Sequence, residues 1–560
     1  MRYVYATLAL FVFVCGQATA QDMYVEVYDL LQAKCSSCHG HATYATSGGG
    51  LDLEGSGATV ADKRADVFDR LTFGTPNNAT AADKQDALVY PGHPYRSFLF
   101  RKINHLSGDV PLEPGEGALM PTTGSLSDKE AELVRQWILF GAPETGMPVD
   151  LAPMEDFYDN GGITSVTTVP APPPEDEGFQ IHLGPFFLEP GGEVEYLSKF
   201  ETRLEETIEI TQLQTEMGTY SHHFIVYEFV DMSTGQPQDA SAVPYGMRNN
   251  IEFDDKGFIL TEQYSNTLDL PEGTAFEWQE DLVLDLNTHY INYSDDQPLQ
   301  CEVYLNVRTQ NAGRATQIME TQLIPNTNIP IPNDGEEHSF EQDLSLPGLN
   351  IDMFMWAMVA HTHQWGKDFN IYMRNEDGTF GDQIYDGGCA NGIPGCAVEE
   401  FDYQHLPMRF FDPFKRVVLD EGVVAEATYV NTGPNPVDWG LTSDDEMMLF
   451  VVMFTQDTAG LSGPNGWTSV REAMREIQPA GIWPNPASTQ VTIDVGEPIG
   501  ADATAQFIDG SGRVVMDRAV QPSGPQRGRI ALGDDLPEGF YLVRITNDGR
   551  SFAGKVLVTR

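Results

Sequence analysis

The run Met353-Phe-Met-Trp-Ala-Met-Val-Ala360 is apolar at every position, so a strand built from it must bury both of its alternating faces. Such a strand belongs inside an all-β core, and this one ends in His361-Thr362-His363. Residues two apart on a strand point to one side, so both imidazoles face the same spot, which could hold a metal. By itself a His-x-His also fits two satisfied core histidines. The chain has 12 histidines in 560 residues, and three more stand in the same setting. His222-His223 open the apolar run Phe224-Ile-Val-Tyr227, and His289 follows Leu282-Val-Leu-Asp-Leu-Asn-Thr288. Neighbours in a regular strand point to opposite faces, so His222 and His223 reach one ion only at a strand end or a bulge.

With Asp445-Glu446-Met447 further on, the pattern resembles the copper type II, ascorbate-dependent monooxygenases, the family of dopamine β-monooxygenase and the peptidylglycine hydroxylating enzyme. The resemblance covers roughly residues 178–475 and implies two copper ions. One is implied at His222, His223 and His289, the last within His289-Tyr290, and the other, catalytic, at His361, His363 and Met447. The ligand chemistry agrees: imidazole suits either oxidation state of copper, whereas a thioether favours Cu(I). Met447 also reads as an ordinary core methionine of Met447-Met-Leu-Phe-Val-Val-Met-Phe454. The resemblance further implies two ions facing each other across a cleft between domains. Its implied activity is hydroxylation of a C–H bond of a small-molecule or peptide substrate by dioxygen, with electrons from an external donor. A non-catalytic surface electron-transfer or copper-binding protein is the alternative, and a surface adhesin reusing the scaffold is a third.

Three departures from the family bear on substrate. Where the peptidylglycine enzyme has a Cys and then a substrate-anchoring Asn, this chain has Met448 and Leu449, and the partner Cys aligns with Ala427. Both halves of that disulfide are missing together, so apolar repacking of the strand pair is expected. Without the Asn, C-terminal glycine substrates lose their anchor. Asn287 keeps an amide two residues before His289, where the family often has Gln.

Upstream, Cys35-Ser-Ser-Cys38-His39 is the c-type haem attachment signature, in which both thiols add to the haem vinyl groups and the His coordinates iron. A redox disulfide or half of a zinc site would need only the Cys-x-x-Cys. Met120, in Ala118-Leu-Met-Pro121, precedes an amphipathic stretch opened by Ser127 with Glu130 three residues later, a capping-box signal. Met-Pro before a closing helix that ends Trp137-Ile-Leu-Phe-Gly-Ala142 is similar to class I cytochrome c domains. That similarity implies Met120 as the distal ligand of one covalently attached haem c, with His93 and His105 as rivals. A fused haem would offer the copper sites a one-electron donor.

A chain of this length exceeds a single core, which stops growing near ~250–300 residues. Met1 to Ala20 has the apolar stretch and small-residue end of a cleaved signal peptide, with Cys15 lost alongside it; acylation of Cys15 as a lipoprotein is the other reading. The expected modules are a small all-α cytochrome c domain at 21–145, a stiff Pro- and acid-rich linker at 146–177, two all-β, jelly-roll-like copper domains at 178–328 and 329–476, and an Ig-like β-sandwich at 477–560. From Ile482-Trp-Pro-Asn-Pro486 to the C-terminus, the last module resembles the sorting domain of type IX secretion cargo. It implies export through the periplasm by the type IX machinery, then secretion or surface attachment. Among 83 acidic and 32 basic residues, a formal net charge of −51, the field repels nucleic acid. No stretch after the signal reaches the ~20 apolar residues that span a bilayer, so the mature chain carries no transmembrane segment. Cys389 and Cys396 bracket a Gly- and Pro-rich loop and are expected to pair, while Cys301 reads as a buried thiol.

Overall fold

The structure is a computed structural model that describes residues 22–105, 112–231, 236–249, 256–262, 265–349, 351–389, 401–440, 445–461, 478–485, 487–500, 503–508, 514–524, 526–533, 536–537, 539–547 and 550–559. The signal segment with Cys15, and Cys396, lie outside them. The chain divides into two compact units, Met1–Trp467 and Thr468–Arg560. It is mostly β, with its longer helices gathered at the N-terminal end.

That end is a small helical module built from α1 (Met23–His39), α2 (Val60–Leu71), α3 (Ala79–Asp83), α4 (Phe98–Ile103) and α5 (Asp128–Leu139). Ser127 caps α5 as its sequence predicts: the hydroxyl accepts from the Glu130 N–H while the Glu130 carboxylate takes the Ser127 N–H. Tyr24 of α1 stacks on Trp137 of α5, and both are fully buried.

Two antiparallel sandwiches follow. In the first, a seven-stranded sheet that includes Gly178–Leu188, Ile208–Glu216 and Leu299–Asn311 faces a six-stranded sheet that includes Glu193–Glu201, Ser221–Asp231 and Val283–Ile291. Side chains of both sheets share one apolar core. In the second, Glu320–Pro325, Leu449–Thr455, Asp352–His361 and Arg409–Val418 form one four-stranded sheet, and Glu337–Leu344, Val423–Val430, Gly366–Arg374 and Phe380–Asp386 the other.

The strand Asp352–His361 explains why its sequence is apolar throughout. Met353, Met355, Met358 and Ala360 enter the core of the second sandwich, while Phe354, Trp356, Ala357 and Val359 join the core of the first. The same sheet therefore serves as a wall for both sandwiches, and the seam along this strand is apolar. The register against both neighbouring strands slips between Met355 and Ala357, which puts Trp356 and Ala357 on the same side and exchanges the faces of all later residues.

The segment 146–177 differs from a free spacer. It contains α6 (Ala152–Asn160) and a short strand, Ile163–Thr164, that pairs with Leu299–Gln300. The amides of Gln180 and Asn306 donate to the Pro170 and Ala171 carbonyls. Pro-rich chain cannot pair through its own N–H groups, so side-chain donors hold it down. The helical module is likewise docked on the first sandwich. Tyr90 and Tyr245 both donate to the Glu201 carboxylate, Arg96 donates to the Glu201 carbonyl at 2.7 Å, and Gln136 reaches the Pro185 carbonyl at 2.7 Å.

The second unit is a smaller sandwich by itself. Its five-stranded sheet is centred on the hairpin Gly539–Asn547 and Arg550–Val558, and its four-stranded sheet includes Gln490–Asp494 and Arg527–Ala531. Val491, Ile493, Phe507, Val543 and Ile545 fill the space between.

Arg101 and Glu116 form a bidentate pair inside the helical module, with both bonds 2.7 Å and both side chains almost fully buried. Burial by itself would raise the Glu116 carboxyl, but Arg101 and the Glu113 N–H hold it down at about 2. A folded-state value below the unfolded one adds stability above the ordinary carboxylate range and loses it as pH falls. Arg101→Met is expected to destabilise the module by roughly 3–5 kcal/mol in urea unfolding, because it strands a buried carboxylate. Between the ordinary carboxyl value of 4.5 and about 2, the wild type should lose stability that Glu116→Gln never has, read as a shallower acid slope in the variant.

Candidate metal centre

All five of the singled-out histidines are buried and meet at the seam between the sandwiches. Nitrogen atoms of His222, His223 and His289 lie within 4.8 Å of one another, and so do those of His222, His361 and His363. The sequence implies two sets facing each other across a cleft. Instead the sets adjoin through His222, whose ring centroid is 5.0 Å from that of His289 and 5.2 Å from that of His361.

Two bulges produce this convergence. His289 pairs with His223 and Tyr290 with Ser221, so His222 is an extra residue on its strand and turns to the side of its neighbour. The slip at Trp356 does the same for the second set. His361 follows Ala357 and Val359 on the side that faces the first sandwich, whereas unbroken alternation from Phe354 would aim it into its own core.

Three of the five imidazoles, those of His223, His289 and His363, are oriented by a partner on one ring nitrogen. His223 Nε2 meets Asn287 Oδ1 at 2.8 Å and Glu195 Oε1 at 3.3 Å, and Asn287 Nδ2 donates to Glu195 at 2.9 Å. His289 Nε2 meets Glu193 Oε1 at 2.7 Å, and His363 Nδ1 the Asp445 carbonyl at 3.1 Å. The opposite nitrogens are left to the cluster. His222 Nδ1 and His223 Nδ1 are buried with no partner among the described residues, which is the arrangement a metal-ligating histidine requires. Burial, then the neighbouring imidazoles, hold His222 and His361 well below the ordinary histidine value, and burial pushes His363 down to about 4. Neutral rings carry the lone pairs that a metal takes. The donor set therefore fits a nitrogen-binding ion such as copper.

Met447 is buried, and its backbone is tied to that of His363. The Glu446 carboxylate accepts the N–H groups of His363, Trp365 and Met447, and Tyr429 donates to the Met447 carbonyl at 2.8 Å. Burial raises Glu446 to about 7 against those three bonds. The backbone of Met447 is thereby fixed against that of His363. Ala427 and Met448 both lie in the apolar core of the second sandwich, in keeping with the expected apolar repacking.

Glu193, Glu195, Glu446 and Tyr403 complete the surroundings, and sequence reading did not single them out as site residues. The Tyr403 ring stands 6.4 Å from that of His222. A signal existed for two of them: Glu193 and Glu195 alternate on one strand, where they register against Ile291 and His289.

A second constellation lies in the helical module. Cys35, Cys38, His39 and Met120 line one cavity of about 500 Å³. The two cysteines are free thiols, and burial, then Cys38, pushes the Cys35 thiol up to about 11. His39 closes α1 with Nδ1 3.0 Å from the Leu51 carbonyl, leaving Nε2 for a ligand. Met120 is held from α4 by a 2.6 Å bond from its N–H to the Lys102 carbonyl. Neither rival lines this cavity: His105 binds the Met120 carbonyl, and His93 lines a different space. Thiols, an oriented imidazole and a methionine around one apolar cavity fit a covalently attached haem. Elsewhere Cys389 is disulfide-bonded, and Cys301 is a buried free thiol as expected.

Residues 481–559 match the secretion system C-terminal sorting domain. The chain thus ends in a type IX secretion sorting tail, and it is exported and then secreted or attached to the cell surface. No curated protein matches the chain. Among solved structures it is similar to N-glycanase F (PNGase F) at 12% identity and a TM-score of 0.23, covering 50% of this chain and 96% of that one. It is also similar to Faecalibacterium prausnitzii beta-glucuronidase at 9% identity and a TM-score of 0.17, covering 44% and 47%. Likenesses this remote say nothing about activity. No helix among the described residues is long and apolar enough to cross a membrane.

Asn287→Leu removes the group that orients His223 without touching a lone pair of the cluster. Copper affinity at the first set is expected to fall about 10- to 100-fold in a chelator-competition titration, with total binding capacity unchanged. His361→Ala should instead lower capacity, leaving the set of His222, His223 and His289 intact.

Proposed function

We propose that the protein is an exported copper- and haem-dependent monooxygenase that hydroxylates a C–H bond of an organic substrate with dioxygen. The observation that carries this reading is the meeting of five buried imidazoles as two sets of three, sharing His222, at the seam of two sandwiches. The same five residues, with Met447, carry the resemblance to the copper type II, ascorbate-dependent monooxygenases. Copper bound there supplies dioxygen activation and storage of single electrons, and haem on Cys35 and Cys38 supplies a one-electron donor.

The chain's own residues divide these tasks. A neutral imidazole has one lone pair, so His222 serves one set at a time. With His222 engaged beside His223 and His289, the second position retains His361, His363 and Met447, a mixed nitrogen and thioether set that favours the reduced ion. Glu193, Glu195 and Asn287 hold the first set's rings in place, and Glu446 ties the His363 backbone to that of Met447. Because the sets adjoin through His222, ions held at both would be close enough to exchange an electron directly. Loss of the Asn that anchors a substrate carboxylate, replaced here by Leu449, argues for substrates other than C-terminal glycine peptides.

The docked helical module supports the haem as donor. Its bonds to Glu201, Pro185 and Gly184 keep it against the first sandwich, so electron delivery does not wait on a tethered domain finding its partner.

Purified mature protein, loaded with copper and haem and offered a panel of C–H substrates under labelled dioxygen, should yield hydroxylated product containing one labelled oxygen. Product without label, or redox cycling of both metals without product, would establish a surface electron carrier instead. In rapid mixing, the haem should oxidise in step with product; haem that stays reduced while product forms excludes it as the donor.

A further inference from the structure

Met120, at the haem cavity, is carried by a loop with little packing of its own. Within 113–125 only Glu116 is buried, and Leu119, the neighbour of Met120, is 38% exposed. No apolar side chain of the loop is fully buried, so polar ties must fix where it lies.

One residue of the helical core supplies three of those ties. The Lys102 carbonyl accepts the Met120 N–H at 2.6 Å, and the Lys102 ammonium donates to the Glu116 carbonyl at 3.0 Å and to the Ala118 carbonyl. Lys102 is buried and lines the haem cavity beside Phe98, with Nζ 5.6 Å from that ring. An ammonium has three donors and no acceptor, so away from water it is stable only against oxygens such as these. Gly117 stands between the two carbonyls with a φ of +80°, a conformation that costs glycine nothing, and a Cβ added there would lie 3.5 Å from Nζ. Other ties act elsewhere on the loop. Arg101 grips the Glu116 carboxylate, and the exposed His105 ring meets the Met120 carbonyl at 3.1 Å.

We propose that Lys102 is a positioning residue for the distal ligand: it holds segment 116–120 over the cavity, so that the Met120 thioether closes the sixth position of the haem. This inference rests on the reading that the cavity takes a covalently attached haem. Its consequence is a choice of electron acceptor in a protein that uses dioxygen. Ferrous haem with an open position gives one electron to dioxygen, forming ferric haem and superoxide, whereas a closed position reserves that electron for the copper centre.

The test uses the exported chain with haem attached, as wild type, Lys102→Met and Gly117→Ala. Lys102→Met keeps a long unbranched side chain and removes its donors. In the reduced protein, carbon monoxide should bind about 10- to 100-fold faster in Lys102→Met, the range by which losing an outer partner weakens a metal ligand. Autoxidation in air should quicken with it, and the methionine-to-iron absorption band of the ferric haem should weaken, at unchanged covalent haem content. Gly117→Ala strains the same turn without touching Lys102, and it should move all three readouts the same way. Carbon monoxide binding and the absorption band both unchanged in Lys102→Met overturn the proposal. Should Lys102→Met fail to fold, Gly117→Ala decides alone, and unchanged carbon monoxide binding there overturns it as well. Wild type that carries no covalent haem refutes the haem reading and the proposal together; wild type that carries haem, with Lys102→Met indistinguishable from it, refutes the proposal only.

Discussion

The apolar seam between the sandwiches is the constraint on which the remainder of the molecule depends. One strand, Asp352–His361, is shared as a wall by two cores, and burying apolar area on both of its faces leaves the sandwiches no freedom to slide past each other. Histidines placed at such a seam are held in position by the summed dispersion contacts of the apolar packing behind them. The metal centre is therefore as rigid as the packing behind it. A seam of polar residues would have let water in and made the separation of the two sets variable.

Bulges convert that rigidity into direction. Without the slip at Trp356, the period of the strand would send His361 into the second core, on the side of Met353 and Met355, where it would be an isolated buried imidazole. Without the extra residue at His222, its ring and that of His223 would stand on opposite faces of their sheet. Both devices cost ladder hydrogen bonds. Each re-aims a histidine toward the cluster, which is a reason for a chain to retain them.

Much of this was legible in residues alone. Continuous apolarity at 353–360 signalled burial on both faces, the adjacency of His222 and His223 called for a strand end or a bulge, and Ser127 with Glu130 announced the capped helix that the structure contains. The slip at Trp356 was not legible, because an unbroken apolar run carries no parity to read. For the same reason the two histidine sets were expected to stand apart across a cleft: only the register fixes which way His361 points. The Pro-rich segment misled differently. Its composition predicts a stiff spacer, but the Gln180 and Asn306 amides that bind it sit elsewhere in the sequence, on strands of the first sandwich.

Docking of that segment and of the helical module has a common electrostatic logic. In a chain of net charge −51, two acidic modules repel, and contact between them must be secured locally. Arg96, Lys199 and Arg203 gather at this junction around a single carboxylate, Glu201, which also receives the hydroxyls of Tyr90 and Tyr245. Burial, then Arg203, lowers Arg96 to about 10 without neutralising it, so the junction keeps its cations at neutral pH. Positive charge concentrated here offsets the acidic field that would otherwise push the modules apart. Tight closure through Glu201 on one side and the proline strap on the other leaves a cavity between them, because neither flat packing nor a flexible chain fills the corner where a helix bundle meets a twisted sheet.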